Sequence, residues 1–159
     1  MSVVIITFAL IATMPLHATT PMAIAQGGRG ATSTGATACS LFTPQEISGI
    51  TSARIRDGEP QAVPEGTECR FRSSDGGWVH VALGPEDAKT FAKVRGLLGV
   101  QAEMQAGVGD EAYFWGNQRI HVRVGTHALT IGFARNDGGN ATTKAQVLAL
   151  AKLGAPRLR

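Results

Sequence analysis

The hydrophobic positions of this chain change their spacing several times, and each change marks an element. From Val3 to Met14 the residues VVIITFALIATM form a continuous, mostly apolar run. Past Cys39 the pattern becomes periodic. In ECRFRS, Cys69 and Phe71 fall on one face of a strand, and Glu68, Arg70 and Arg72 on the other. SDGG then supplies hairpin turn chemistry, and WVHVALG alternates again, with Val79, Val81 and Leu83 inward and Trp78 and His80 outward.

In PEDAKTFAKVRGLL the spacing switches to that of a helix. Ala88, Phe91, Ala92, Val94 and Leu98 share one face, and Pro85 and two acids precede them. After Gly99, VGDEAYFWGNQRIHVRVGTHALTIGFA divides at GN and GTH into three strand-like runs. Ile120, Val122 and Val124 point inward with Leu129, Ile131 and Phe133, while Arg119, His121 and Arg123 point outward. NDGGNATT reads as a loop, and Thr142 or Thr143 caps a last helix, KAQVLALAKL, closed by Gly154 and Pro156.

The domain opens on a helix signal. In LFTPQEI, Thr43 is the N-cap, Pro44 the first helical residue and Glu46 the partner of a capping box, with Phe42 and Ile47 as its hydrophobic staple. The polar stretch from Arg54 to Gly66, with Gly58, Pro60 and Pro64, reads as a loop with room for a short edge strand. The order helix, hairpin, helix, three-stranded meander, helix predicts an α+β fold: an antiparallel sheet of about five strands with helices packed on one face.

Composition adds the compartment. Apolar residues at 43% and charged residues at 17% give a globular balance, and the length allows one modest core, placed in residues 38–159. The net charge of +3 comes from scattered residues rather than a basic stripe. That is a weak lean toward anionic partners and argues against nucleic acid. The first 25 residues carry no Lys, Arg, Asp or Glu, and their twelve-residue apolar run fits a signal peptide but is short for a membrane span. AIA, ending at Ala25, offers the preferred cleavage site, and LHA, ending at Ala18, the second. The start MSVV lacks the usual basic residue, which leaves an atypical leader, a start further upstream or a buried N-terminal element as readings. Residues 26–37, QGGRGATSTGAT, have linker composition. The expectation is a periplasmic or extracellular protein with no stable membrane span once residues 1–25 are removed.

Cys39 and Cys69 are the two cysteines. A lipid anchor needs a cysteine directly after the apolar run with an aliphatic residue three positions earlier; here Ala36 and a Gly-rich linker stand instead. A separation of thirty residues matches no Cys-x-x-Cys metal pattern. Export with one cysteine beside a helix start and one on a core-facing strand position points to a disulfide, with two inert thiols as the alternative.

CSLFTPQEI, the CRF that follows, GVGDEAYFWG, RIHVRVGTHALTI and the closing Ala/Leu-rich helix together resemble a family of small exported bacterial proteins and lipoproteins classed as a domain of unknown function. Its members carry a Cys-x-Leu-Leu-Thr-x-x-Glu-Val start and a Gly-(Val/Ile)-Gly-Asp-Glu-Ala centre. The likeness spans about residues 38 to 153, with Phe42 where the family has Leu, and it implies an α+β cell-envelope protein without catalytic residues to carry over.

Asp110 and Glu111 are the most enzyme-like pair, yet adjacent strand residues face opposite ways, so Asp110 is expected to bind backbone amides at the strand entry instead. His80 and His121 would make a metal site only if their strands were neighbours, and no third ligand is placed with them; no metal or cofactor is expected. Asn140 to Thr142 match a glycosylation sequon that equally reads as a helix start. The outward set Arg70, Arg72, Trp78, His80, Arg119, His121 and Arg123 suits an anionic ligand such as an anionic glycan or phosphate, or an acidic protein surface. The expected function is a non-catalytic envelope binding or accessory module. The alternatives are a secreted hydrolase inhibitor presenting the Arg54 to Gly66 loop, and a hydrolytic enzyme, which would need His80 or His121 beside Asp110.

Overall fold

Thr43 starts the first helix in the manner its sequence pattern requires. The Glu46 amide donates to Thr43 Oγ1 at 3.2 Å and the Thr43 amide donates to Glu46 Oε2 at 2.8 Å, closing the capping box of α1 (Pro44–Thr51). Phe42 and Ile47 are both buried, so the staple reaches the core. Residues 37–134 and 141–159 are described in a computed structural model. The expected signal peptide, the expected linker up to residue 36, and residues 135–140, which include most of the NDGGNATT loop and Asn140 of the sequon, lie outside the described residues.

The strands are β1 (Ile55–Gln61), β2 (Thr67–Ser73), β3 (Trp78–Pro85), β4 (Ala102–Met104), β5 (Glu111–Trp115), β6 (Arg119–Val124) and β7 (His127–Ala134). They form one antiparallel sheet in the order β1-β2-β3-β7-β6-β5-β4. The α+β class is as expected, but the sheet has seven strands rather than about five. The two additional strands are its edges. An edge strand is held by backbone pairing on one side, so it needs no alternating apolar pattern. β1, IRDGEPQ, buries only Ile55 and carries Pro60, which an edge tolerates.

Gly58 shows why β1 reads as a loop. A Cβ at this position would stand 2.5 Å from Cys69 Sγ and 2.8 Å from Phe71 Cε1, so the inward side chains of β2 occupy the space a side chain would need. The glycine serves close approach, not a turn.

The inward residues of the strands, among them Phe71, Val81, Ile120, Leu129, Ile131 and Phe133, are buried against Ile47 of α1 and Val147, Leu150 and Ala151 of α3 (Ala141–Gly154). Because α3 begins at Ala141, Thr142 and Thr143 lie in its first turn rather than at its cap, and Thr143 is buried. Cys39, in a 3-10 turn at Ala38–Ser40, is joined by a disulfide to Cys69, their Cα atoms 5.0 Å apart. The bond ties the segment before α1 to the second strand.

α2 (Ala88–Leu98) departs from the one-face expectation. It lies on the opposite side of the sheet, where the fully buried Phe91 ring stacks on His121 with centroids 5.2 Å apart and tilts against Tyr113 at 5.1 Å. Of the five residues that gave α2 its apolar face, Phe91 alone is buried; Val94 is 37% exposed. One aromatic anchor pins the helix. No helix among the described residues is long and apolar enough to cross a membrane.

Candidate functional site

Cross-strand register sets the outward face in rows. One row runs Glu59, Arg70, His80, Gly132, Arg119, Trp115 across β1, β2, β3, β7, β6 and β5. Its middle member has no side chain. The result is a groove of about 490 Å³ with backbone at Gly132 as its floor. A Cβ at Gly132 would stand 3.7 Å from Arg119 Nε and 3.8 Å from His80 Nδ1, so the flanking side chains lean toward that floor.

Both ends are built alike. The Arg70 guanidinium lies over the Trp78 ring, 5.5 Å from its centroid, and the Arg119 guanidinium lies over the Trp115 ring at 5.1 Å. Such stacking holds a guanidinium in place while leaving the donors on its edge available. Trp78 and Trp115 remain 37% and 45% exposed. Neither arginine forms an ion pair among the described residues. His80 Nε2 lies 3.0 Å from Glu68 Oε1, while His80 Nδ1 and Arg70 Nε are buried atoms without a hydrogen-bond partner.

Four of the seven expected face residues, Arg70, Trp78, His80 and Arg119, therefore converge on one groove. The other three do not join it. Arg72 pairs with Glu59 at 3.1 Å. Arg123 is held by Glu111 at 3.0 Å, by Asp110 at 3.4 Å and by the Gly125 carbonyl at 2.9 Å. His121 lies beneath Phe91, its Nδ1 2.6 Å from Thr130 Oγ1 and its Nε2 2.7 Å from Glu86 Oε2. Sequence reasoning missed Glu68, Trp115, Gln118 and Gly132. The alternation of ECRFRS did place Glu68 outward, but its register opposite the other residues is a long-range fact.

The remaining chemistry readings sort out similarly. His80 and His121 stand on β3 and β6 with β7 between them, so their strands are not neighbours. Among the described residues no group of three or more His, Cys, Asp or Glu is placed to hold a metal ion. Asp110 takes the turn role, its Oδ2 accepting the Gly125 amide at 2.7 Å. The Thr130, His121 and Glu86 chain has the connectivity of a nucleophile, base and orienting acid. Thr130, however, lies inside β7, paired with β3 on one side and β6 on the other, so its strand offers no spare amides for an oxyanion. Burial pushes the neighbouring Tyr113 phenol up to about 12, with the Glu86 charge adding to the effect. The Arg54 to Gly66 stretch is mostly β1 in the sheet, not a free protruding loop.

No protein-family model, curated protein or solved structure matches this chain. The likeness to the exported family thus rests on the quoted motifs alone.

Proposed function

We propose that this chain is an exported cell-envelope protein, periplasmic or extracellular, that acts as a non-catalytic binding module through the groove floored by Gly132. The supporting observation is the pair of tryptophan-stacked arginines at its two ends, which form no ion pair among the described residues. Cations without ion-pair partners among the described residues, on a face that also exposes two tryptophans, are equipment for recognition, since neither group improves packing of the core. The Cys39–Cys69 disulfide is compatible with an oxidising compartment. The two arginines of the groove favour an anionic partner.

The test pairs location with binding. Full-length chain, and chain lacking residues 2–25, are expressed with an envelope fraction and assayed for location and thiol state. Export and disulfide formation should both require residues 2–25. Retention on the envelope fraction should fall at least tenfold in the double variant Arg70→Glu and Arg119→Glu, with melting temperature nearly unchanged. Retention that ignores both charge reversals would remove the groove from the function.

A further inference from the structure

The polar groups around Gly132 narrow the kind of anion, an inference that rests on the binding-module reading above. A carboxylate in the lining works against a simple polyanion. This groove contains Glu68, and its carboxylate can only accept hydrogen bonds, so the His80 Nε2 at 3.0 Å must be the donor of that pair. The other ring nitrogen, Nδ1, lies against the Gly132 floor, buried and without a hydrogen-bond partner. Buried polar atoms are nearly always satisfied, and an orphan in a groove marks the place of a missing partner.

The groove therefore combines two guanidinium forks, a carboxylate acceptor and two exposed indole rings. Arginine forks match carboxylate geometry. The acceptor needs a ligand that donates, and hydroxyls spread around a ring can do so while the ring lies on the indoles. The indoles offer flat, partly apolar faces that suit a ring with a polar rim. A phosphate polymer has anionic groups for the arginines but no donor for Glu68, and a polyglutamate segment donates only through its backbone amides and brings no ring for the indoles. We infer that the ligand is an acidic saccharide: hydroxylated sugar rings bearing carboxylates, seated across the strands with a hydroxyl over Gly132 and carboxylates toward Arg70 and Arg119. A groove of about 490 Å³ is within the size range of small-ligand sites.

Gly132 supplies a selective block. A Cβ there meets only ordinary contacts, at 3.7 Å and beyond, so Gly132→Ala should fold and leave most of the floor open, whereas Gly132→Leu should fill it. The experiment titrates full-length, disulfide-bonded chain with a galacturonic acid oligomer, its fully methyl-esterified and hence uncharged form, hexaglutamate and inorganic phosphate, read by calorimetry and tryptophan fluorescence. The acid oligomer is expected to bind saturably with a fluorescence change, at least tenfold more tightly than each of the other three. Arg70→Gln and Arg119→Gln should each weaken it about tenfold or more, and Glu68→Ala should weaken it while leaving any hexaglutamate binding equal or tighter. Gly132→Leu should abolish it with the melting transition retained.

Equal affinity for the ester would overturn the carboxylate assignment. Tighter binding of hexaglutamate or phosphate would overturn the saccharide, and if that binding is lost in Gly132→Leu the binding-module reading survives. Failure of all four probes sinks the ligand class, and the groove-dependent envelope retention above then judges the module separately. Acid-oligomer binding unaffected by Gly132→Leu would place the ligand elsewhere and overturn the site.

Discussion

Arg157 Nη2 lies 2.5 Å from Glu46 Oε1, joining the last turn of the chain to the capping box of α1. The same Glu46 carboxylate accepts the Thr43 amide through Oε2, and Arg157 Nη1 donates to the Leu41 carbonyl. Hydrogen bonding to Arg157 first, and to the Thr43 amide second, lowers the Glu46 carboxyl from 4.5 to about 2. The folded-state value is depressed, so this contribution is present above the unfolded value near 4.5 and is lost as pH falls through about 2. Both side chains are about one-third exposed, so solvent screening keeps the effect to about 1 kcal/mol or less. Urea midpoints measured between pH 6 and pH 2.5 should fall less steeply in Glu46→Gln than in the parent. Identical acid limbs would show that the pair adds nothing to pH dependence.

The Cys39–Cys69 bond closes a separation of 30 residues. In the chain-entropy description, a loop of that length contributes about 3.5 kcal/mol by restricting the unfolded chain. Cys39→Ser with Cys69→Ser should lower unfolding free energy by roughly that amount, and reductant should do the same to the parent but not to the double variant. A shift under about 1 kcal/mol would mean that the segment before α1 is held by packing alone.

Phe91 is the only buried residue of α2, stacked on His121 and Tyr113. Truncation to alanine in a well-packed site costs about 3 to 5 kcal/mol, but here the helix can detach, which bounds the loss at what α2 itself contributes. Phe91→Ala should therefore destabilise by about 2 to 3 kcal/mol. Hydrogen exchange should speed up across residues 88–98 and stay slow in β6 and β7. Uniform loss of protection would show that α2 is part of the cooperative core.

Gly58→Ala places a methyl group where Cys69 Sγ and the Phe71 ring already stand, 2.5 and 2.8 Å away. The disulfide holds the sulfur, so relief must come from β1 moving out or Phe71 shifting, at a cost of about 1 to 3 kcal/mol. Adding Phe71→Leu should return part of the loss in chemical denaturation. No loss in the single variant would show that β1 is free to move away from β2.

Much of the fold was legible in the chain because its signals are local. The capping box at Thr43 and Glu46 involves atoms three residues apart, and the alternation of Cys69 with Phe71 and of Ile120 with Val122 and Val124 marks which side of each strand meets the core. β4 escaped, and β1 was legible only as room for a short edge strand, because an edge strand can be stabilised by backbone pairing without an apolar alternation. The placement of α2 escaped for a related reason. Its spacing declares an apolar face, but Ala88, Ala92 and Val94 remain exposed while Phe91 alone finds a pocket, on the side of the sheet that alternation had labelled polar.

The outward face of the sheet divides along the same line. Alternation alone put Arg70, Trp78, His80 and Arg119 on the outward side, because successive strand residues point to opposite faces whatever the strand pairs with. Only the insertion of β7 between β3 and β6 brought Gly132 between His80 and Arg119, while the β5–β6 hairpin aligned Trp115 beside Arg119. The chain by itself determined its elements, the inward set of its main strands and the polarity of the face opposite. Strand order and register decided which polar residues share a groove, since those depend on contacts between segments tens of residues apart, and no short-range pattern encodes them.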